Sequence, residues 1–155
     1  MSSTDTDNIF FQPSTLPFQA IPFDRIKDGD FEPAFEKGMQ DHLAEVEQIA
    51  NNVEEPTFKN TLIAMEQSGQ ILTRVSLAFN VVSGANTNPE LQDLQERLAP
   101  QLAAHKDAIH LNANLFKKIE ALYNNKSGLG LDPESLRLLE YTYQSFVLDG
   151  AKLSD

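Results

Sequence analysis

Three histidines, His42, His105 and His110, are the residues of this chain best suited to metal or proton chemistry. A zinc-binding helix of the HExxH kind needs two histidines four apart on one face, with a glutamate beside the first. His105 and His110 are five apart. That is about 140° around a helix, so one metal cannot take both from a regular helix. His42 and Glu45 are three apart and can share a face, but a lone histidine–carboxylate pair is more often a surface hydrogen bond. His105 falls on an apolar stripe and is expected to be a packed, hydrogen-bonded core residue.

Neighbouring carboxylates are plentiful: Glu45 with Glu47, Glu54 with Glu55, and Asp93 with Glu96. A chain with 23 acids places such pairs by chance. General acid catalysis would need a pocket that raises one of them, and no motif points to one. Gly128-Leu129-Gly130 lacks the spacing and the Gly-Lys-Ser/Thr ending of a phosphate loop, so turn geometry is its expected role. Asn125-Lys126-Ser127 matches a glycosylation sequon, a common triplet. The residues therefore assign no catalytic, cofactor-binding or metal position, and describe a binding or structural module.

Bulk properties narrow the class further. At 155 residues the chain can bury one ordinary core. Twelve Lys and Arg against 23 acids give a formal charge of −11. Nucleic acid is excluded as a partner, since phosphates need a basic surface. The chain has no cysteine, so disulfides, thiolate catalysis and Cys-ligated zinc are out. No apolar run approaches the roughly 18 residues of a spanning helix, so no membrane role is expected. The polar opening MSSTDTDN has no signal-peptide pattern, and the simplest location is the cytoplasm.

The elements that would position these residues read as helices. Residues 1–8 are expected to be a disordered tail, and 9–155 one helical domain. Ile9 to Ile26 holds Pro13, Pro17 and Pro22 between Phe10, Phe11, Leu16, Phe18, Ile21 and Phe23. It predicts an extended strap whose aromatic side chains dock onto helices. Phe31, Phe35, Met39, Leu43, Val46 and Ile49 recur at helical spacing, with Asp30 as N-cap. A second helix starts near Thr57 and carries Phe58, Leu62, Met65, Leu72, Val75, Phe79 and Val82. Gly69 falls inside it, where close approach of a neighbouring helix or a kink would account for a glycine.

Asn88-Pro89 starts a third helix, bent at Pro100, with Leu91, Leu94, Leu98, Leu102, His105 and Ile109. A short fourth holds Leu115, Phe116, Ile119, Leu122 and Tyr123. Asp132-Pro133 opens a fifth with Leu136, Leu139, Tyr143, Phe146 and Val147, stopped at Gly150. The predicted fold is an all-α antiparallel bundle of about five helices with an N-terminal strap.

Ordered blocks along the chain carry a resemblance. They run from Ser14-Thr15-Leu16-Pro17-Phe18, Phe23-Asp24 and Ile26 to Pro33-Ala34-Phe35 with Gly38-Met39. The strongest follow: Phe58, Asn60-Thr61, Ala64, Glu66-Gln67-Ser68-Gly69 and Leu72-Thr73-Arg74-Val75. Thr87-Asn88, Glu90-Leu91, Leu115-Phe116, the run from Ser127 to Asp132 and Gly150-Ala151-Lys152-Leu153 complete them. Together they resemble the N-terminal helical region of M3-family zinc metallopeptidases, especially the bacterial peptidyl-dipeptidase branch.

The resemblance implies a large, mostly helical, cleft-shaped enzyme that releases C-terminal dipeptides from short peptides. Its zinc is held by an HExxH helix and a downstream Glu, and the helix Glu activates water. HExxH is absent here, so zinc belongs to the full-length enzyme and this region is similar to one wall of the cleft. Leu153-Ser154-Asp155 looks like the capped entry to a further helix, which makes the chain an expected N-terminal fragment. As such it should be catalytically silent, lacking its C-terminal catalytic region, and should self-associate as concentration rises. The alternatives are an oligopeptidase A-like endopeptidase domain and a free-standing helical interaction module with an exposed groove.

Overall fold

A computed structural model of the chain describes residues 7–153. The first six residues of the expected tail, and the expected cap Ser154, lie outside them. Within them the all-α class holds, with six α-helices and no strand: α1 (Phe31–Ala50), α2 (Ala64–Gln67), α3 (Gln70–Ala85), α4 (Pro89–His110), α5 (Ala113–Asn124) and α6 (Pro133–Leu148). None of these helices is long and apolar enough to cross a membrane. The chain clusters into two compact units. One holds the residues up to His42 with Gly69–Leu102, the other Leu43–Ser68 with the residues from Ala103 on.

The expected second helix is in fact two, and this is the main correction. Ser68 is extended at ψ 162° and Gly69 is left-handed at φ 67° and ψ 32°, so α2 stops before α3 begins. The glycine answers both a turn and a close approach. A Cβ built there would lie 2.8 Å from His42 Cγ. One helical turn earlier on α1, a Cβ on Gly38 would meet the Leu72 backbone nitrogen at 2.9 Å.

Local chemistry sets the other helix ends. Asn88 accepts from the Leu91 N–H at 2.9 Å and Asn112 from the Leu115 N–H at 3.0 Å, as N-caps should. Asp132 does the same for the Ser135 N–H at 2.8 Å. That bond, with the Ser135 hydroxyl, holds its carboxyl below the usual carboxylate range. At the end of α6, the Ala151 N–H reaches the Phe146 carbonyl and Gly150 adopts φ 102°, a Schellman closure. Asp30, expected as the N-cap of α1, instead accepts from the Lys27 N–H at 2.8 Å inside a 3₁₀ turn, Asp28–Asp30. Pro100 lies within α4, whose helix continues through it.

In the first unit, Phe10, Phe31, Phe35, Val75, Phe79, Leu91, Leu94 and Leu98 form the core. Phe79 meets Phe31 and Phe35 edge-on at 5.2 and 5.6 Å. The strap docks here in part only. Asn8, grouped with the tail by composition, is buried and donates to the Asp30 carbonyl at 2.9 Å. Phe10 is buried, and Phe11, Ile21 and Ile26 pack against the core. Phe18, expected to dock, is fully exposed at left-handed φ 57°, and Leu16 and Phe23 are exposed as well. Pro17 opens a 3₁₀ turn there, and the Ser14 hydroxyl closes the loop by donating to the Ala20 carbonyl at 2.6 Å.

Arg74 fastens the strap by donating to the Phe10 carbonyl at 2.6 Å and the Gln12 carbonyl at 3.3 Å. Arg74→Ala should therefore loosen residues 9–12 while α3 and α4 stay protected. Amide hydrogen exchange resolves this, because local opening is read residue by residue.

In the second unit, Val46, Ala50, Ile109, Leu115, Phe116, Ile119 and Phe146 form one core cluster. Leu62, Leu122 and Leu139 form another. Residues Phe58–Ile63 make a π-helical turn rather than an α-helical one, with the Ala64 N–H reaching the Lys59 carbonyl. Thr57 caps it, and Asn60 returns a bond to the Thr57 N–H at 2.7 Å.

Candidate functional site

The histidines serve packing and pairing. His42 lies against Gly69 in the first unit, while His105 is buried and His110 half-buried in the second. The His110 ring stacks on Phe146 at 4.4 Å, and its Nδ1 is 2.5 Å from the Asp149 carboxylate. Among the described residues, no three His, Cys, Asp or Glu side chains come together as a metal would need. The donor set among the described residues does not fit a zinc site.

Two of the neighbouring carboxylates, Glu47 and Asp93, tie parts of the scaffold together. Glu47 accepts from Asn51 at 2.9 Å and from Asn112 at 3.1 Å, tying the end of α1 to the start of α5. Asp93 pairs with Arg97 at 3.0 Å, and Arg97 also contacts Glu32, two hydrogen bonds that hold its guanidinium protonated more firmly than usual. The backbone carbonyl of Glu55 accepts from Asn60 at 3.0 Å.

One grouping was not foreseen from the residues. Five rings lie nearly parallel along α4, α5 and α6. Tyr123 faces Tyr143 at 3.8 Å, Tyr143 faces Phe116 at 5.9 Å, and Phe116, Phe146 and His110 continue the row. Lys126 sits 4.1 Å from the Tyr123 ring centre and is held protonated chiefly by its hydrogen bond to Glu140. Lys152 lies 5.4 Å from that of Tyr143, which raises its pKa first, with Glu120 adding to it. The signal was present as Phe116 and Tyr123, seven apart on α5, and Tyr143 and Phe146 on α6. Their mutual stacking is tertiary.

At the far end of the row, Lys106 and then His110 hold the Asp149 carboxyl below the usual carboxylate range. A depressed carboxylate lends the native state stability that is complete above its unfolded value, about 4. That contribution is lost as pH falls through the lower folded value. Asp132 acts in the same direction. Melting temperatures should therefore fall as pH drops below about 4, and Asp149→Asn should make that acid slope shallower. An unchanged slope would show that the cluster adds nothing.

A shallow concave surface of the second unit lies between the end of α1 and the segment from Asn60 through α2. It has a volume of about 400 Å³ and carries the carboxamides of Gln48, Asn52, Asn60 and Gln67 beside the Glu45 carboxylate. Asn60 and Gln67 also line a second hollow of about 630 Å³, with Glu54, Glu55 and Lys59. Such a lining can donate to and accept from an extended peptide backbone and favours cationic groups.

No family model matches the chain. Over 149 residues, 96% of its length, it is 46% identical to the dipeptidyl carboxypeptidase of Escherichia coli K12. The protein of that name from Salmonella typhimurium LT2 is 45% identical over 148 residues, again 96% of the chain. Oligopeptidase A of Escherichia coli K12 is 21% identical over 141 residues, 91% of the chain and 21% of that protein. The chain spans about a fifth of the length of these relatives, 22% for both carboxypeptidases.

Proposed function

We propose, for a chain related along almost its whole length to bacterial dipeptidyl carboxypeptidases, that it forms the N-terminal helical region of a zinc-dependent peptidyl-dipeptidase of the M3 family. The observation that carries this reading is the 46% identity across 96% of the chain. Oligopeptidase A, at 21%, supports the endopeptidase alternative far less.

In this reading the region contributes a wall of the substrate cleft, and short peptides are the substrate. The carboxamide-lined surface of the second unit supports that role, because Gln48 and Asn52 offer hydrogen bonds that any peptide backbone can accept or return. Zinc, in the whole enzyme, belongs to residues beyond this chain. The region is then silent in isolation, and the remainder of the polypeptide is its partner.

The test compares two proteins on short peptides in the presence of zinc. The full-length protein should release C-terminal dipeptides, and the 155-residue chain alone should release none. Robust hydrolysis by the pure chain would overturn the proposal.

A further inference from the structure

α3 carries a single ionisable residue among its sixteen, Arg74, whose guanidinium is already committed to the strap carbonyls. The chain as a whole is 23% charged with a net charge of −11, so a helix facing water here would be expected to carry several charges. One face of α3 is buried through Val75, Ala78 and Phe79. The other, with Thr73, Leu77, Asn80, Val81 and Gly84, is exposed and uncharged, Leu77 by 55% and Val81 by 46%. A helix face turned to water normally carries charged residues opposite the apolar stripe.

Beside that face a groove of about 250 Å³ opens between α3 and α4. Phe35, Phe79, Leu98 and Leu102 line it, with Asn80 and Gln95, and no charged side chain takes part. Groove and exposed face share Asn80, and Ser76, Asn80, Leu77 and Val81 follow one another around the helix. An apolar helix with anchors at i, i+3 or i+4 and i+7 fits such a surface.

The related carboxypeptidases carry most of their length outside the matched stretch, which is 22% of each. A helix on the same polypeptide would meet this face at an effective concentration near millimolar. A second copy would bring another −11 and no tether, so it could compete for this face only as concentration rises. We infer that the uncharged groove between α3 and α4, extended by Leu77 and Val81, is the seat of an apolar helix from the part of the peptidase beyond these 155 residues. This inference rests on the peptidase reading above.

The chain has no cysteine, so Leu77→Cys or Val81→Cys gives it a single thiol. Each is made in the 155-residue chain and in the full-length protein, and maleimide labelling is followed by peptide mass mapping. Labelling at both positions should be about 100-fold slower in the full-length protein, where the site must open first. Equal rates in the two proteins would overturn the inference. So would a rate in the full-length protein that rises on dilution to nanomolar concentration, because a second copy would then be the occupant. Dipeptide release by the same full-length protein is assayed in parallel. Labelling decides the docking and release decides the peptidase reading, so either can fail alone.

Discussion

Replacing Gly69 with valine should lower the melting temperature of the chain by roughly 10 °C, from two separable costs. At φ 67° any L side chain crowds its own backbone, which costs about 1–2 kcal/mol. A Cβ 2.8 Å from His42 Cγ forces that ring or the start of α3 to move, and such overpacking costs about 1–3 kcal/mol. Valine adds branching that worsens both. Asparagine tolerates left-handed backbone, so Gly69→Asn should keep the steric cost and relieve part of the conformational one. A Gly69→Val protein that melts with the parent would mean that the break between α2 and α3 is not fixed by this residue.

Phe31→Ala should cost about 4 kcal/mol, a large part of the roughly 5–15 kcal/mol that holds a domain folded. Phe31 is fully buried and joins the strap to α3, with Phe10 at 5.8 Å on one side and Phe79 edge-on at 5.2 Å on the other. Each ring pair adds about 0.5–1.5 kcal/mol beyond simple burial. Because Phe10 loses a wall of its site, exchange protection at residues 9–11 should fall along with global stability. Urea titration reads the loss as a lower midpoint at constant slope. A loss below about 1 kcal/mol would show that the aromatic cluster is loosely packed.

Features fixed by neighbouring residues were legible in the sequence. Asn88-Pro89 and Asp132-Pro133 start helices because cap and proline act within one turn. Gly150 ends one because its positive φ closes the last turn. What depended on distant partners was hidden. The stripe of α1 reads as one face, yet Phe31 and Phe35 serve the core of one unit while Val46 serves that of the other. Gly69 announced a special position without revealing that α2 ends there. Phe18 reads as a docking aromatic by type, but the turn after Pro17 leaves it in water.

The candidate site was less legible than the fold. Spacing alone separates His105 and His110 by about 140° around a regular helix, which is a statement about sequence and not about what the site holds. The carboxamide groove depends on a π-helical turn at Phe58–Ile63, which no periodicity announces. The likeness to dipeptidyl carboxypeptidases, by contrast, was readable from the order of short blocks spread along the chain, and the 46% identity extends over 96% of it.

Membership of a longer peptidyl-dipeptidase, as proposed above, makes a direct demand on the full-length protein. Mass spectrometry of short synthetic peptides, incubated with the full-length protein and zinc, tests it most directly. Products shortened by two residues at a time from the C-terminus are expected, and none with the 155-residue chain. Internal cleavage, removal of single residues, or no cleavage by the full-length protein would contradict it.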